Sequence, residues 1–280
     1  MSLHVLGCAG SLALGHHTTT FRIDADILLD AGSGLARVPL AELACIDHVL
    51  LTHSHIDHLL GVPLLVDGVL RLRTAAGRPP IAVHALPQTL DALSRHILND
   101  VIWPDFTRLP RPEAPALTLH PLAVGDVLTL GSRQRRVRVL PAAHSVPAVG
   151  YAIHPQQAGG GVAFSGDTGP CPALWAALQR EPVATLIIEA AFADHDAQLA
   201  ARSGHHTPES LARELAALAG PRPFGALRLT HAKPGEEAAI AADLSRALAT
   251  HGLTGLDVAP LREGERIAIS PHPTKHVTLP

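Results

Sequence analysis

Four things are scarce in this chain, and each scarcity excludes something. Its 280 residues include only three cysteines, Cys8, Cys45 and Cys171, widely spaced and odd in number. That excludes a disulfide framework and fits a reducing compartment, so the expected setting is the cytoplasm. Charge of one sign is not in excess: 22 Lys and Arg stand against 25 Asp and Glu, a net charge of −3. No broad basic excess marks a footprint for polymeric nucleic acid. The one local run, Arg133, Arg135, Arg136 and Arg138, reads as the solvent face of a strand. No uncharged stretch reaches the roughly 20 residues of a membrane span, and MSLHVLGCAGS lacks the charged head and apolar run of a signal peptide. Aromatics are only 3% of the chain, which makes the nearby pair Trp103 and Phe106 conspicuous.

Histidine is abundant, at 19 residues. It binds metals and moves protons near neutral pH. In LTHSHIDHLLG, residues 51–61, His53, His55, Asp57 and His58 fall within six positions. Residues i and i+2 of an extended segment point the same way, so His53 and His55 can share one metal ion. Asp57 and His58 follow where the chain turns into a helix and can serve a second. Imidazole and carboxylate donors suit zinc. Further donors stand just after apparent strands: His144 after RVRVLPAA, Asp167 after GVAFSG and His231 after ALRLT. Residues at strand ends can converge at one edge of a sheet. His16 and His17 read as surface. His4, His48, His84, His120, His154, His251, His272 and His276 read as structural or solvent-exposed.

The periodicity predicts strands at LHVLG, TTFRID, DILLDAG and HVLLT, then a helix from about Asp57 through Leu72. IAVHA reads as a strand and PQTLDALSRHIL as a helix, followed by an irregular stretch over 99–116. Strands resume at ALTLH, DVLTL, RVRVLPAAH, VGYAIH and GVAFSGD, with a hairpin loop at 156–161. Helices then alternate with strands: CPALWAALQR, TLIIEA, TPESLARELAALAG, ALRLTH and PGEEAAIAADLSRALATHG. This order implies an α/β fold of two packed sheets with helices outside, an αββα sandwich, as one domain over 1–280.

HSHIDH resembles the H-x-H-x-D-H signature of the metallo-β-lactamase fold superfamily, and His144, Asp167 and His231 follow in the order of its later motifs. THSHIDHLLGVPLL, LPQTLDALSRHILNDVIWPDFT, AFSGDTGP, SGHHTPESLARE and THAKPGEE together resemble class II cyclic-nucleotide phosphodiesterases. The resemblance implies the four-layer αββα sandwich and two zinc ions, with manganese or iron as the other occupants of one site. His53, His55 and His144 would bind one ion and Asp57, His58 and His231 the other, with Asp167 bridging. It implies hydrolysis of cAMP or cGMP to 5′-monophosphates by a hydroxide held between the ions, in a homodimer.

Within that frame Asp57 also orients the nucleophile. His205 is the candidate general acid, held by Glu189 at the end of TLIIEA, and Lys233 is a candidate phosphate contact. His96, Asn99, Trp103, Asp105 and Phe106 are candidates for the base and ribose, or else for a dimer contact. His206 departs from the pattern, which has an apolar residue there. The alternatives are an RNase Z-like nuclease, a lactonase, or a noncatalytic metal- or nucleotide-binding sensor.

Overall fold

A computed structural model describes residues 1–156 and 160–269. Residues 157–159 of the expected loop at 156–161, and both His272 and His276, lie outside the described residues.

Two seven-stranded sheets carry the fold. The first runs Arg266–Ala268, Ser2–Gly7, Thr20–Ile23, Ile27–Leu29, His48–Leu50, Ile81–Ala85, Leu117–Pro121. The second runs Asp257–Pro260, Phe224–Thr230, Val183–Glu189, Val162–Phe164, Val149–His154, Arg135–Pro141, Val127–Leu130. Side chains alternate between faces along each strand, and the apolar pattern assigns the layers. Leu29 and Leu50 point inward to meet Tyr151, Ile153 and Phe164 of the second sheet. Leu28, Val49 and Leu51 point outward against the helix Gly61–Ala75. On the far side Leu186, Ile188 and Leu227 pack with Leu174, Leu211 and Ile240 from the helices Pro172–Arg180, Pro208–Ala216 and Glu237–Thr250. The result is helix, sheet, sheet, helix. Each fully buried Leu, Ile or Phe contributes about 1.5–3 kcal/mol, so the three apolar clusters dominate the stability.

The strands Ile27–Leu29, His48–Leu50, Ile81–Ala85 and Leu117–Pro121 are mutually parallel. So are Val162–Phe164, Val183–Glu189, Phe224–Thr230 and Asp257–Pro260. Ligand sites in such sheets lie beyond the carboxyl ends of the parallel strands. Here those ends deliver Asp30, His53, Asp167, Glu189 and His231.

Several expectations need correction. Arg135 is not on a solvent face: it is fully buried, bonding Asp24 Oδ2 at 2.7 Å and Asp26 at 2.6 and 2.7 Å. It comes from the second sheet and ties down the hairpin of the first, so its charge is consumed. Arg136 and Arg138 are half-buried and both engage Glu181. The helix after the histidine motif is broken into Ile56–Leu59 and Gly61–Ala75. The irregular stretch contains a small ribbon, Pro110–Arg111 with Ala114–Pro115. The helix Ala197–Ser203 and the edge strands Asp257–Pro260 and Arg266–Ala268 carry too weak a periodic signal to read from sequence. Among the described residues no helix is long and apolar enough to cross a membrane.

Candidate metal centre

His53 is reached when the chain leaves the strand His48–Leu50, and His55 is the N-cap of the short helix that presents Asp57 and His58. His231 follows Phe224–Thr230 with φ +67°, a left-handed conformation costly for a side chain of its size. The backbone there is pinned, because the His231 N–H donates to Cys8 O at 2.7 Å. A Cβ on Gly10 would lie 2.4 Å from His231 O and 2.8 Å from its ring, so only glycine lets that loop approach.

Donor atoms converge in three overlapping groups, each within 4.8 Å: His53, His55, His144 and Asp167; Asp57, His58 and His231; Asp167, His205 and His231. Asp167 Oδ2 stands 3.1 Å from His231 Nε2, 3.4 Å from His58 Nε2 and 3.8 Å from His53 Nε2. His144 Nε2 is 3.1 Å from His55 Nδ1. His53 Nε2, His58 Nε2 and Asp167 Oδ1 are buried without a hydrogen-bond partner. Buried polar atoms are ordinarily paired. Imidazole nitrogens and a carboxylate turned toward one shared space, with several left unpaired, fit a cation between them, and the His/Asp chemistry suits a divalent metal ion.

The opposite edges of these rings are held. His58 Nδ1 donates to Asp30 Oδ2 at 2.7 Å, and the Thr52 N–H and hydroxyl donate to the same carboxylate at 2.7 and 2.8 Å. His53 Nδ1 lies 2.9 Å from Thr52 Oγ1, and His231 Nδ1 lies 3.2 Å from Thr19 Oγ1. His144 Nδ1 donates to Gly204 O at 2.9 Å. Gly204 is left-handed, φ +72°, because it ends the helix Ala197–Ser203. These partners fix each ring and its tautomer. Asp30, Thr52 and Thr19 were not singled out from sequence, although Asp30 ends its strand as Asp167 ends another.

Burial lowers the pKa of His53 well below the ordinary value and brings His231 to about 3. Both are therefore neutral, the form that ligates metal. Burial alone would raise Asp167, yet the charge and hydrogen bond of His58, itself raised well above its ordinary value by Asp167 and Asp30, hold it well below the usual carboxylate range.

Glu189 is fully buried and accepts three bonds: His205 Nδ1 at 2.7 Å, Thr168 N at 2.9 Å and Ala191 N at 3.0 Å. Burial opposes protonation of His205, but the hydrogen bond and charge of Glu189 outweigh it and raise the pKa. The His205 ring stacks on His231 at 5.5 Å and meets His144 edge-on at 4.8 Å. His206 points elsewhere: its Nδ1 lies 3.0 Å from Ser210 Oγ and its Nε2 3.4 Å from Glu214. Lys233 Nζ donates to Gly10 O at 2.6 Å and lies 5.8 Å from the centre of the Phe192 ring.

The remaining candidates are not brought to this centre. The strand Ile81–Ala85 ends at the centre's edge, and the helix Pro87–His96 then runs back about 15 Å along the outer face. His96 is therefore at the opposite end. Phe106 O accepts the N–H groups of Ala116 and Leu117, where the neighbouring strand begins. Asn99 is occupied locally, its Oδ1 accepting Val101 N and Ile102 N. Asp105 accepts from Thr107 and Arg108. Trp103 packs against the apolar cluster of the first sheet. His16 Nε2 and His17 Nδ1 each lie 2.8 Å from a carboxylate, of Glu237 and Glu263 respectively.

Residues 25–251 match the family described as "Beta-lactamase superfamily domain". A "Ribonuclease Z" of Bradyrhizobium sp. (strain ORS 278) is 34% identical over 254 residues, spanning 73% of this chain and 79% of that protein. The "3′,5′-cyclic-nucleotide phosphodiesterase 1" of Saccharomyces cerevisiae is 33% identical over 57 residues, 20% of this chain and 15% of that protein. The crystal structure of unliganded yeast PDE1 superposes with a TM-score of 0.78 at 18% identity, over 95% of this chain and 98% of that one, which shows a common fold. With its two sheets, and a His/Asp cluster suited to holding metal ions at their shared edge, this chain belongs to the metallo-β-lactamase superfamily.

Proposed function

We propose that this chain is a metal-dependent phosphodiesterase that hydrolyses 3′,5′-cyclic nucleotides, cAMP or cGMP, to nucleoside 5′-monophosphates. The observation that carries the reading is the His205–Glu189 pair, a buried histidine of raised pKa set against the convergent donors. A phosphodiester with an alkoxide leaving group needs such an acid.

In this reading His53, His55 and His144 would hold one ion and Asp57, His58 and His231 the other, and Asp167 would contribute a donor. Zinc is the expected metal, with manganese or iron alternatives at one site. Bound there, the ions would supply Lewis acidity toward the phosphoryl oxygens and acidify a water. Asp57 orients the attacking water and takes its proton. As the water oxygen bonds to phosphorus, the P–O3′ bond breaks. His205 gives its proton to O3′. Because Nδ1 is committed to Glu189, the proton that leaves is the one on Nε2, and Glu189 stabilises the imidazolium until then. Lys233 is a phosphate contact that exchanges Gly10 O for the substrate. The resemblance further favours a homodimer in the cytoplasm, which sedimentation and fractionation test.

A second reading is an RNase Z-like nuclease, favoured by the 34% identity to a "Ribonuclease Z". Polymeric nucleic acid calls for unpaired basic groups. Here all four arginines of the run 133–138 are engaged by carboxylates, so that run does not supply such a patch. The test is a parallel assay of metal-loaded protein on cAMP, cGMP, 2′,3′-cyclic AMP, bis(p-nitrophenyl) phosphate, a precursor tRNA and a lactone, with Asp167→Ala as control. Conversion of cAMP or cGMP to the 5′-monophosphate, lost in the variant, is expected. Cleavage of the tRNA alone would replace the reading with the nuclease. Lactone turnover alone would replace both.

A further inference from the structure

Behind the metal centre lies a cavity of about 510 Å³, bounded by the loop 8–16, the helix Glu237–Thr250 and the edge strand Asp257–Pro260. We propose that it binds a neutral, largely apolar small molecule, independently of the reaction at the metal centre. Its size falls in the roughly 300–1,000 Å³ range of ligand sites. Small side chains open it: Ala9, Gly15, Ala232, Ala241 and Ala259 line it where larger residues would have filled the space. Leu229, Ile240, Leu244, Leu248, Val258 and Leu261 supply apolar walls.

The chemistry of the occupant follows from what the polar groups are already doing. Within the cavity, the Thr230 hydroxyl donates to Cys8 O at 3.2 Å and the Cys8 thiol faces Leu261 O at 3.7 Å. At the rim, His16 pairs with Glu237 at 2.8 Å, and Glu263 is shared by His17 at 2.8 Å and Arg37 at 2.7 Å. The Ser245 hydroxyl is spent on Ala241 O at 2.9 Å. The Arg262 side chain is exposed at the rim, where its charge stays in water and calls for no anion inside the cavity. A charged or strongly polar guest would lose its water and meet groups already paired, which costs free energy. An apolar guest gains in proportion to the surface it buries. The cavity wall is also the support of the centre, since Cys8 O holds the His231 N–H at 2.7 Å.

Isothermal titration of 1-octanol into the metal-loaded protein tests this, with octanoate and octylammonium as charged counterparts of the same length. Saturable one-site binding of octanol is expected, with both ions weaker by about tenfold or more. Ala241→Phe and Ala259→Leu fill the cavity from two different walls, and each should weaken octanol by about tenfold. Unchanged metal content certifies that the variants fold. Absence of saturable octanol binding, tighter binding of either ion, or undiminished binding in both variants would overturn the site. None of these outcomes depends on whether the protein cleaves a cyclic nucleotide.

Discussion

The Asp30 carboxylate and the His58 ring, 28 residues apart, are both fully buried and joined by a 2.7 Å hydrogen bond. Asp30 also takes the N–H and hydroxyl of Thr52, whose Oγ1 sits 2.9 Å from His53 Nδ1. One carboxylate therefore orients two imidazoles of the centre. Asp30→Ala should lower metal affinity by about 10–100-fold, measured by competition with a chromophoric chelator. Affinity equal to wild type would show that the rings are held by packing alone.

The His205–Glu189 pair predicts a leaving-group effect. His205→Ala should lower turnover of cAMP by about 10²–10⁴-fold. It should change hydrolysis of bis(p-nitrophenyl) phosphate far less, because p-nitrophenolate leaves without a proton. Equal losses on both substrates would make His205 a binding group instead of an acid.

The same pair fixes a pH dependence. His205 acts when protonated, and Glu189 raises its pKa against the opposing effect of burial. The rate should therefore fall on the alkaline side as His205 loses its proton. Glu189→Gln removes the charge and should move that alkaline limb to lower pH in a kcat/KM profile. An unmoved limb would assign it to another group.

His84 sits between the sheets with His48 Nδ1 at 3.2 Å and the His120 ring stacked at 4.9 Å. Burial, then the charges of His48 and His120, lowers its pKa to about 3. Folded His84 stays neutral while the unfolded residue protonates below its ordinary value of 6.5. Its contribution to stability is present above pH 6.5 and is lost as pH falls from there toward 3. Thermal melts across this range should show His84→Gln losing less stability on acidification than the wild type. Parallel curves would place the acid sensitivity elsewhere.

Trp103 separates structure from recognition. Its place on the apolar cluster of the first sheet predicts that Trp103→Ala destabilises by somewhat less than the roughly 3–5 kcal/mol of a fully buried tryptophan. KM should stay within about twofold. A large rise in KM at unchanged Tm would return this segment to the substrate.

Much of this centre was legible in sequence because its donors obey local rules. The spacing of His53 and His55 is the period of an extended chain, and Asp57 and His58 follow a turn into helix. His144, Asp167 and His231 stand where apolar runs stop, and a strand end is a local signal. The alternation of Leu28 and Val49 against Leu29 and Leu50 likewise announces a strand with two different faces. Other features depended on contacts between distant parts of the chain. Arg135 reads as one arginine in a surface run, and only the docking of the sheets places Asp24 and Asp26 against it. Asp30 looks like any turn residue until His58 arrives 28 positions later. The segment that holds Asn99, Trp103, Asp105 and Phe106 looks like part of a pocket in sequence, but the ten-residue helix before it returns the chain to the other end of the sheet. Local spacing determined which side chains this protein could bring to a metal. The packing of two sheets decided which of them meet, because burial and pairing are properties of the whole fold.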